Sequence, residues 1–132
     1  MKRLDAGYLA LASLYLVVGV ALGIGMGVAH DFRYAPVHAH INLVGWTSHG
    51  LMGLALARWP ALQASRLATP QFAIFTISSP IFVVGLPIAI AYDVPIVAIV
   101  GSLGVFVGVV LFAVMALQLL RTGAGAQSTI SG

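Results

Sequence analysis

The feature that most constrains this chain is a set of four long stretches without a charged side chain. They run from about Tyr8 to Ala29, Val37 to Ala57, Phe72 to Tyr92 and Pro95 to Leu120. Each reaches the roughly 20 residues that an α-helix needs to cross ~30 Å of hydrocarbon. With 61% hydrophobic and only 7% charged residues, the chain is far from the roughly 25% charged content of a soluble domain. The expected fold is all-α and integral to a membrane: a four-transmembrane-helix antiparallel bundle over residues 1–121, then a disordered tail over 122–132.

The first run follows Lys2 and Arg3 as a signal peptide would. It continues unbroken to Ala29, however, beyond the ~7–15 residues of a signal's apolar region, and is read as a retained helix. Lys2, Arg3, Arg58, Arg66 and Arg121 fall on one side of the expected bundle and only Arg33 on the other. By the positive-inside bias both termini are cytoplasmic, in a bacterial or archaeal cytoplasmic membrane, and the loop from His30 to Pro36 faces outward. The charges are scattered at segment ends, with no basic run that would suggest nucleic acid.

Smaller signals refine the boundaries. Asp93 is expected to cap the fourth helix, with Pro95 in its first turn, and Thr69-Pro70 resembles the same start signal for the third. Gly19, Gly23 and Gly27 form a small-residue stripe on the first helix, and Gly101, Gly104 and Gly108 a second one on the fourth. Such stripes let helices approach closely, within the chain or between subunits. Pro80 and Pro87 are read as tolerated kinks.

Against this apolar background the segment Pro36–Gly53, P-V-H-A-H-I-N-L-V-G-W-T-S-H-G-L-M-G, holds three of the four histidines. An ionisable or metal-ligating side chain inside a membrane helix is a functional-site hypothesis by default. At 100° per residue, His38 and His40 point about 200° apart, so they cannot hold one ion together. His49 returns to within about 20° of the His38 face but ~16 Å further along. The His38 face continues through Asn42, Gly45, His49 and Met52, and His40 shares its face with Val44, Thr47 and Leu51.

Zinc requires three or four converging ligands, and helical zinc motifs space two histidines four apart. The spacings here are two, nine and eleven. A porphyrin supplies four equatorial nitrogens itself and asks for one or two axial ligands, so single histidines on separate faces suit it better. Cysteine is absent, which excludes thiolate-ligated haem and covalent c-type attachment. Any metal is then held by His, Met, Asn or carboxylate, with Met26 and Met52 as possible thioether donors.

His38-Ala39-His40, followed by Gly45-Trp46, resembles the H-x-H-x-x-x-x-G-W run on the tenth helix of subunit I of haem–copper oxidases, particularly the cbb3 type. The resemblance covers residues 36–56. It implies that His38 corresponds to the proximal ligand of a high-spin haem, His40 to an axial ligand of a low-spin haem, and Trp46 to a residue packing near the porphyrin edge. The family also uses three copper-binding histidines and a further haem ligand on other helices. The third and fourth helices here carry no histidine, so one chain lacks a complete haem–copper centre.

The expected function is therefore binding of haem b, for electron transfer or for binding a diatomic gas such as O2 or NO, without an independent catalytic centre. Candidate metal ligands are His38, His40, His49 and His30, the last beside Asp31, which would orient it. Asn42, Gly45 and Trp46 are candidate cofactor contacts, and Arg33 and Tyr34 candidate partners for haem propionates. A second axial imidazole would come from His30 or from another subunit, so a homo-oligomer is expected, with a redox partner or quinone. The alternatives are a copper- or zinc-binding or transport protein and a structural accessory subunit whose histidines bond between helices.

Overall fold

The computed structural model describes residues 3–128, with side chains from Arg3 to Leu120. Among these residues the chain is all helical. Helix α1 is Leu4–Ala29, and α2 is a continuous helical run over residues 35–58. The short α3 is Pro60–Ala64, α4 is Ala68–Tyr92 and α5 is Ile96–Ser128. Three of them, α1, α4 and the 96–120 part of α5, are long and apolar enough to cross a membrane by length and composition.

The second apolar run is helical but not one regular α-helix. Ala35–His40 and His49–Arg58 are α-helical, and between them Ile41–Ser48 is a π-helix. In a π turn each N–H reaches five residues back instead of four, which makes the turn wider and lowers the rotation per residue. The side chains here reinforce that reach. Ser48 Oγ donates to the Leu43 carbonyl at 2.8 Å, and His49 Nδ1 bonds to the Val44 carbonyl at 2.9 Å, each five residues back.

The ends of the helices differ from expectation in instructive ways. Asp93 adopts the left-handed conformation (φ 56°, ψ 35°) and ends α4, so it is the cap of the preceding helix and not of the next one. The start of α5 is instead set by Pro95, whose carbonyl accepts the Ile99 N–H at 2.9 Å. Helix α4 starts at Ala68, before Thr69-Pro70, because Pro70 still lies in the first turn, where its missing N–H costs nothing. Helix α5 continues to Ser128, past the expected end at Leu120, since no proline interrupts it. Of the tail read as disordered, residues 129–132 lie outside the described residues.

Glycine positions show how the helices pair. Working up α5, Gly101 abuts the Phe82 backbone, Gly104 abuts Ser78, and Gly108 abuts Phe75, while Gly85 of α4 meets the Ala98 backbone. The descending order on α4 makes this an antiparallel hairpin whose backbones touch where no Cβ intervenes. Along α1 and α2 the pairs are likewise antiparallel: Gly23 with His38, Gly19 with Asn42, Tyr15 with Gly45, and Tyr8 with Gly53. The stripe on α5 and the first two glycines of the stripe on α1 therefore pack within the chain, and Gly27 faces open space.

The two hairpins meet in an apolar core of Tyr8, Met52, Leu56, Leu62, Ala68, Phe75 and Met115. It sits towards the end that carries Arg3, Arg58 and Arg66, and Leu62 of α3 helps to close it. Buried Gln71 crosses this core. Its Oε1 accepts from the Tyr8 hydroxyl at 2.7 Å, and its Nε2 donates to the Gly108 carbonyl at 3.2 Å and to Met52 sulfur at 3.5 Å.

These contacts predict opposite outcomes for two glycines. Gly101→Ala forces its methyl into the Phe82 backbone and should destabilise by about 1–3 kcal/mol, as overpacking does. A Cβ at Gly27 meets nothing within 4 Å, so Gly27→Ala should be neutral or gain about 0.5–1 kcal/mol of helix preference. Thermal unfolding in detergent micelles distinguishes the two.

Candidate functional site

The histidines of α2 occupy three separate environments, each set by the helix geometry. His38 leans on α1, where its Nδ1 donates to the Gly19 carbonyl at 2.9 Å. Gly23 makes room for the ring, since a Cβ there would stand 2.9 Å from His38 Cε1. One turn on, Asn42 Nδ2 donates to the His38 carbonyl at 2.9 Å and lies 3.4 Å from both His38 ring nitrogens. A Cβ at Gly19 would strike that amide. The first two glycines of the α1 stripe are thus seats for His38 and Asn42.

His40 points the other way. Its Nδ1 donates to the Pro36 carbonyl at 2.7 Å, and its ring stands edge-on to Phe82 of α4, centroids 5.1 Å apart. The residue is half-buried.

His49 is fully buried. Eleven α-helical residues would return it to the His38 line against α1. The π stretch rotates less per residue, and the ring sits instead in the seam between α1 and α4. There it contacts Phe75 at 4.8 Å, Tyr15 at 5.3 Å and Tyr8 at 5.6 Å between centroids. Gly45 lets the Tyr15 ring lie against the α2 backbone, where any Cβ would overlap it. His49 Nε2 is buried without a hydrogen-bond partner among the described residues, in contrast to the usual pairing of interior polar groups.

The loop between α1 and α2 is largely exposed. His30 ends α1 in the left-handed conformation (φ 51°), with the Asp31 N–H reaching the Met26 carbonyl at 3.2 Å. This is a Schellman-type end, and the His30 side chain is exposed. Asp31 engages Arg33, through its backbone N–H at 2.9 Å and its guanidinium at 3.6 Å. The same guanidinium lies 5.7 Å from the Tyr34 ring centre. Trp46 faces outward from α2, 37% exposed, with Gly50 beneath its ring.

The structure therefore brings His38 and Asn42 together and keeps His30, His40 and His49 apart. Among the described residues no three His, Cys, Asp or Glu side chains converge as a metal site would require. The sequence reading missed Tyr8, Tyr15 and Phe75, which wall in His49, and Gln71, which anchors Tyr8. Gln71 carried a legible signal, as a side-chain amide immediately before the third apolar run and the one such residue in α4.

Compared with protein-family models, with curated proteins and with solved structures, the chain matches none.

One regularity is shared by the three α2 histidines: each Nδ1 lies 2.7–2.9 Å from a backbone carbonyl, that of Gly19, Pro36 or Val44. A carbonyl only accepts, so each Nδ1 carries a proton, and in the neutral form of the ring Nε2 is the nitrogen that bears the lone pair. Metal-ligating histidines are oriented in this way. The fit to a porphyrin differs among them. His40 is half-buried, with the Phe82 ring edge-on to it, and its Nε2 is the atom that would hold an iron. His38 is pinned between Gly23 and Asn42, and His49 is sealed by three aromatic rings, which leave no slot for a macrocycle while they stay in place.

These environments predict distinct stabilities. His38→Leu forfeits an interhelical bond to Gly19 and should cost about 1 kcal/mol, within the range measured for hydrogen bonds in membranes. His49→Leu removes a buried unpartnered nitrogen, whose desolvation is worth about 1–3 kcal/mol, against loss of the Val44 contact. It should be as stable as the parent or more so in micelle unfolding.

Proposed function

We propose that this chain is a four-span integral membrane protein with both termini cytoplasmic, binding b-type haem at His40 for electron transfer or diatomic-gas binding. The single observation that carries the haem reading is the His40 geometry. Its Nδ1 is tied to Pro36, its Nε2 lone pair is free, and its ring stands on an accessible flank of α2.

Further support comes from the surroundings. A 24-residue helix over 35–58 would span roughly 36 Å if α-helical throughout, and its π turns shorten it towards the hydrocarbon thickness. Arg3, Arg58 and Arg66 gather at one end and Arg33 at the other, which agrees with cytoplasmic termini. The exposed Arg33 and the half-buried Tyr34 lie just N-terminal to α2, one to two turns from His40, within reach of propionates at the membrane surface. The described residues offer no second imidazole facing His40, so the opposite axial position belongs to another copy of the chain or stays open. A haem held there would supply an iron able to change oxidation state or bind a gas at that position.

Absorption spectra of the purified, haem-supplemented protein test this reading. The parent should show a Soret band and, on dithionite reduction, an α-band. His40→Ala should lose both, while His38→Ala and His49→Leu retain them. Absence of any Soret band in the parent defeats the proposal, and loss confined to the His49 variant moves the ligand to the sealed site.

A further inference from the structure

We infer that the groove between α2 and α5 at the Arg58 end is a binding site for an anionic phospholipid, with its phosphate on Arg58 and one acyl chain along the groove. This rests on the membrane part of the reading above and not on haem. The groove encloses about 610 Å³ and is walled by Leu51, Leu54, Ala55 and Phe112, with Arg58 and Trp59 at one end. Its floor includes Met52 and its far end Ser48, so a chain entering at Arg58 would run towards the middle of α2 beside apolar side chains.

The charge at the mouth selects the occupant. Among the described residues, Arg3 and Arg33 each have a carboxylate partner, Asp5 at 3.2 Å and Asp31 at 3.6 Å. No such partner is found for Arg58. Its guanidinium lies 5.5 Å from the Trp59 ring centre, an arrangement that orients the group without neutralising it. Both side chains are exposed, and a tryptophan beside an arginine at a helix end marks the headgroup level of a bilayer. A basic pocket between helices on the cytoplasmic side, continuous with an apolar groove, fits an anionic headgroup and its attached chain. A zwitterionic lipid carries its own cation beside the phosphate, so it gains less from Arg58. A second copy of this chain packed in the same orientation could cover the apolar walls but would leave the arginine unneutralised: of the carboxylate side chains Asp5, Asp31 and Asp93, the last two lie at the opposite end and Asp5 is paired with Arg3.

The test is native mass spectrometry of the full chain released from bilayers of equal parts phosphatidylglycerol and phosphatidylcholine. Resistance of the membrane-bound protein to carbonate extraction serves as the separate check on membrane insertion. The parent should retain phosphatidylglycerol in preference. Arg58→Ala should cut that preference roughly fivefold, the worth of one arginine near a membrane surface. Ala55→Trp, which fills the groove while keeping Arg58, should cut it as well, and Arg66→Ala should leave it unchanged. Circular dichroism confirms that each variant is folded. Unchanged retention in Arg58→Ala or in Ala55→Trp overturns the proposal, as does displacement of the lipid by inorganic phosphate or a lipid-free dimer that Arg58→Ala dissociates. If carbonate extracts the parent, the membrane reading itself fails; if the protein is inserted but shows no lipid preference, only this site fails.

Discussion

The side-chain amide of Gln71 is the contact on which the rest of the bundle depends. Lipid tails are as apolar as leucine, so burying apolar side chains against each other inside a bilayer gains little over leaving them in lipid. What selects one helix arrangement is close packing together with polar bonds that hydrocarbon cannot replace. Gln71 is fully buried on α4 and bonds to Tyr8 of α1, to the Gly108 carbonyl of α5 and, more weakly, to Met52 of α2. One side chain thereby ties the α1–α2 hairpin to the α4–α5 hairpin. The core of Leu56, Phe75 and Met115 is assembled around that tie.

The same contact determines the surroundings of His49. Tyr8 is held by Gln71 through its hydroxyl, and its ring then stands edge-on to both His49 and Phe72. Phase matters as much as contact, because a regular α-helix would carry His49 to the α1 face beside the His38 line. The π turns over Ile41–Ser48 deliver it to the seam that Tyr8, Tyr15 and Phe75 enclose. Gly45 is required at the same point, since the Tyr15 ring occupies the space a Cβ would need. The glycines in this region therefore serve side chains more than helix-to-helix contact: Gly19 seats Asn42, Gly23 seats His38, and Gly45 seats Tyr15.

How much of this was legible in the sequence follows from which physical signals are local. Apolar runs of membrane length gave the long helices, because hydrocarbon thickness sets that length and a count of residues reads it directly. The opposite orientation of His38 and His40 was also legible: they lie two apart, before the π stretch, where 100° per residue holds. His49 lies beyond it, and a π insertion leaves no mark in composition. Extrapolating α-helical phase across eight residues of wider turn therefore keeps His49 on the α1 side, where Tyr8 and Tyr15 meet it, but misses its contact with Phe75 of α4. Asp93 illustrates a second limit. Its side chain suits a helix N-cap, yet the backbone uses it in the left-handed region (φ 56°) that ends α4, and both roles favour the same residue type. The stripe Gly101, Gly104, Gly108 was visible as a close-packing surface, but which helix it faces depends on tertiary pairing.

Two local costs coincide on α2, and their coincidence separates the histidines by role. A π-helix has poorer packing than an α-helix and persists as a rule only in short functional pieces, while a buried nitrogen without a partner forfeits its hydration. The π turns end at Ser48, immediately before His49, and the unpartnered nitrogen is that of His49 itself; neither is demanded by the spanning of a membrane. His38 bears no such cost: its Nδ1 bonds across to Gly19 and its carbonyl to Asn42, so it serves the α1–α2 hairpin as a polar link. His40 bears none either, because its ring bonds within its own helix and its remaining nitrogen is not sealed in the interior. Three residues of one type in twelve positions thus divide into a helix-pairing residue, an outward-presented lone pair and a sequestered one. Local backbone geometry, more than residue identity, makes the division.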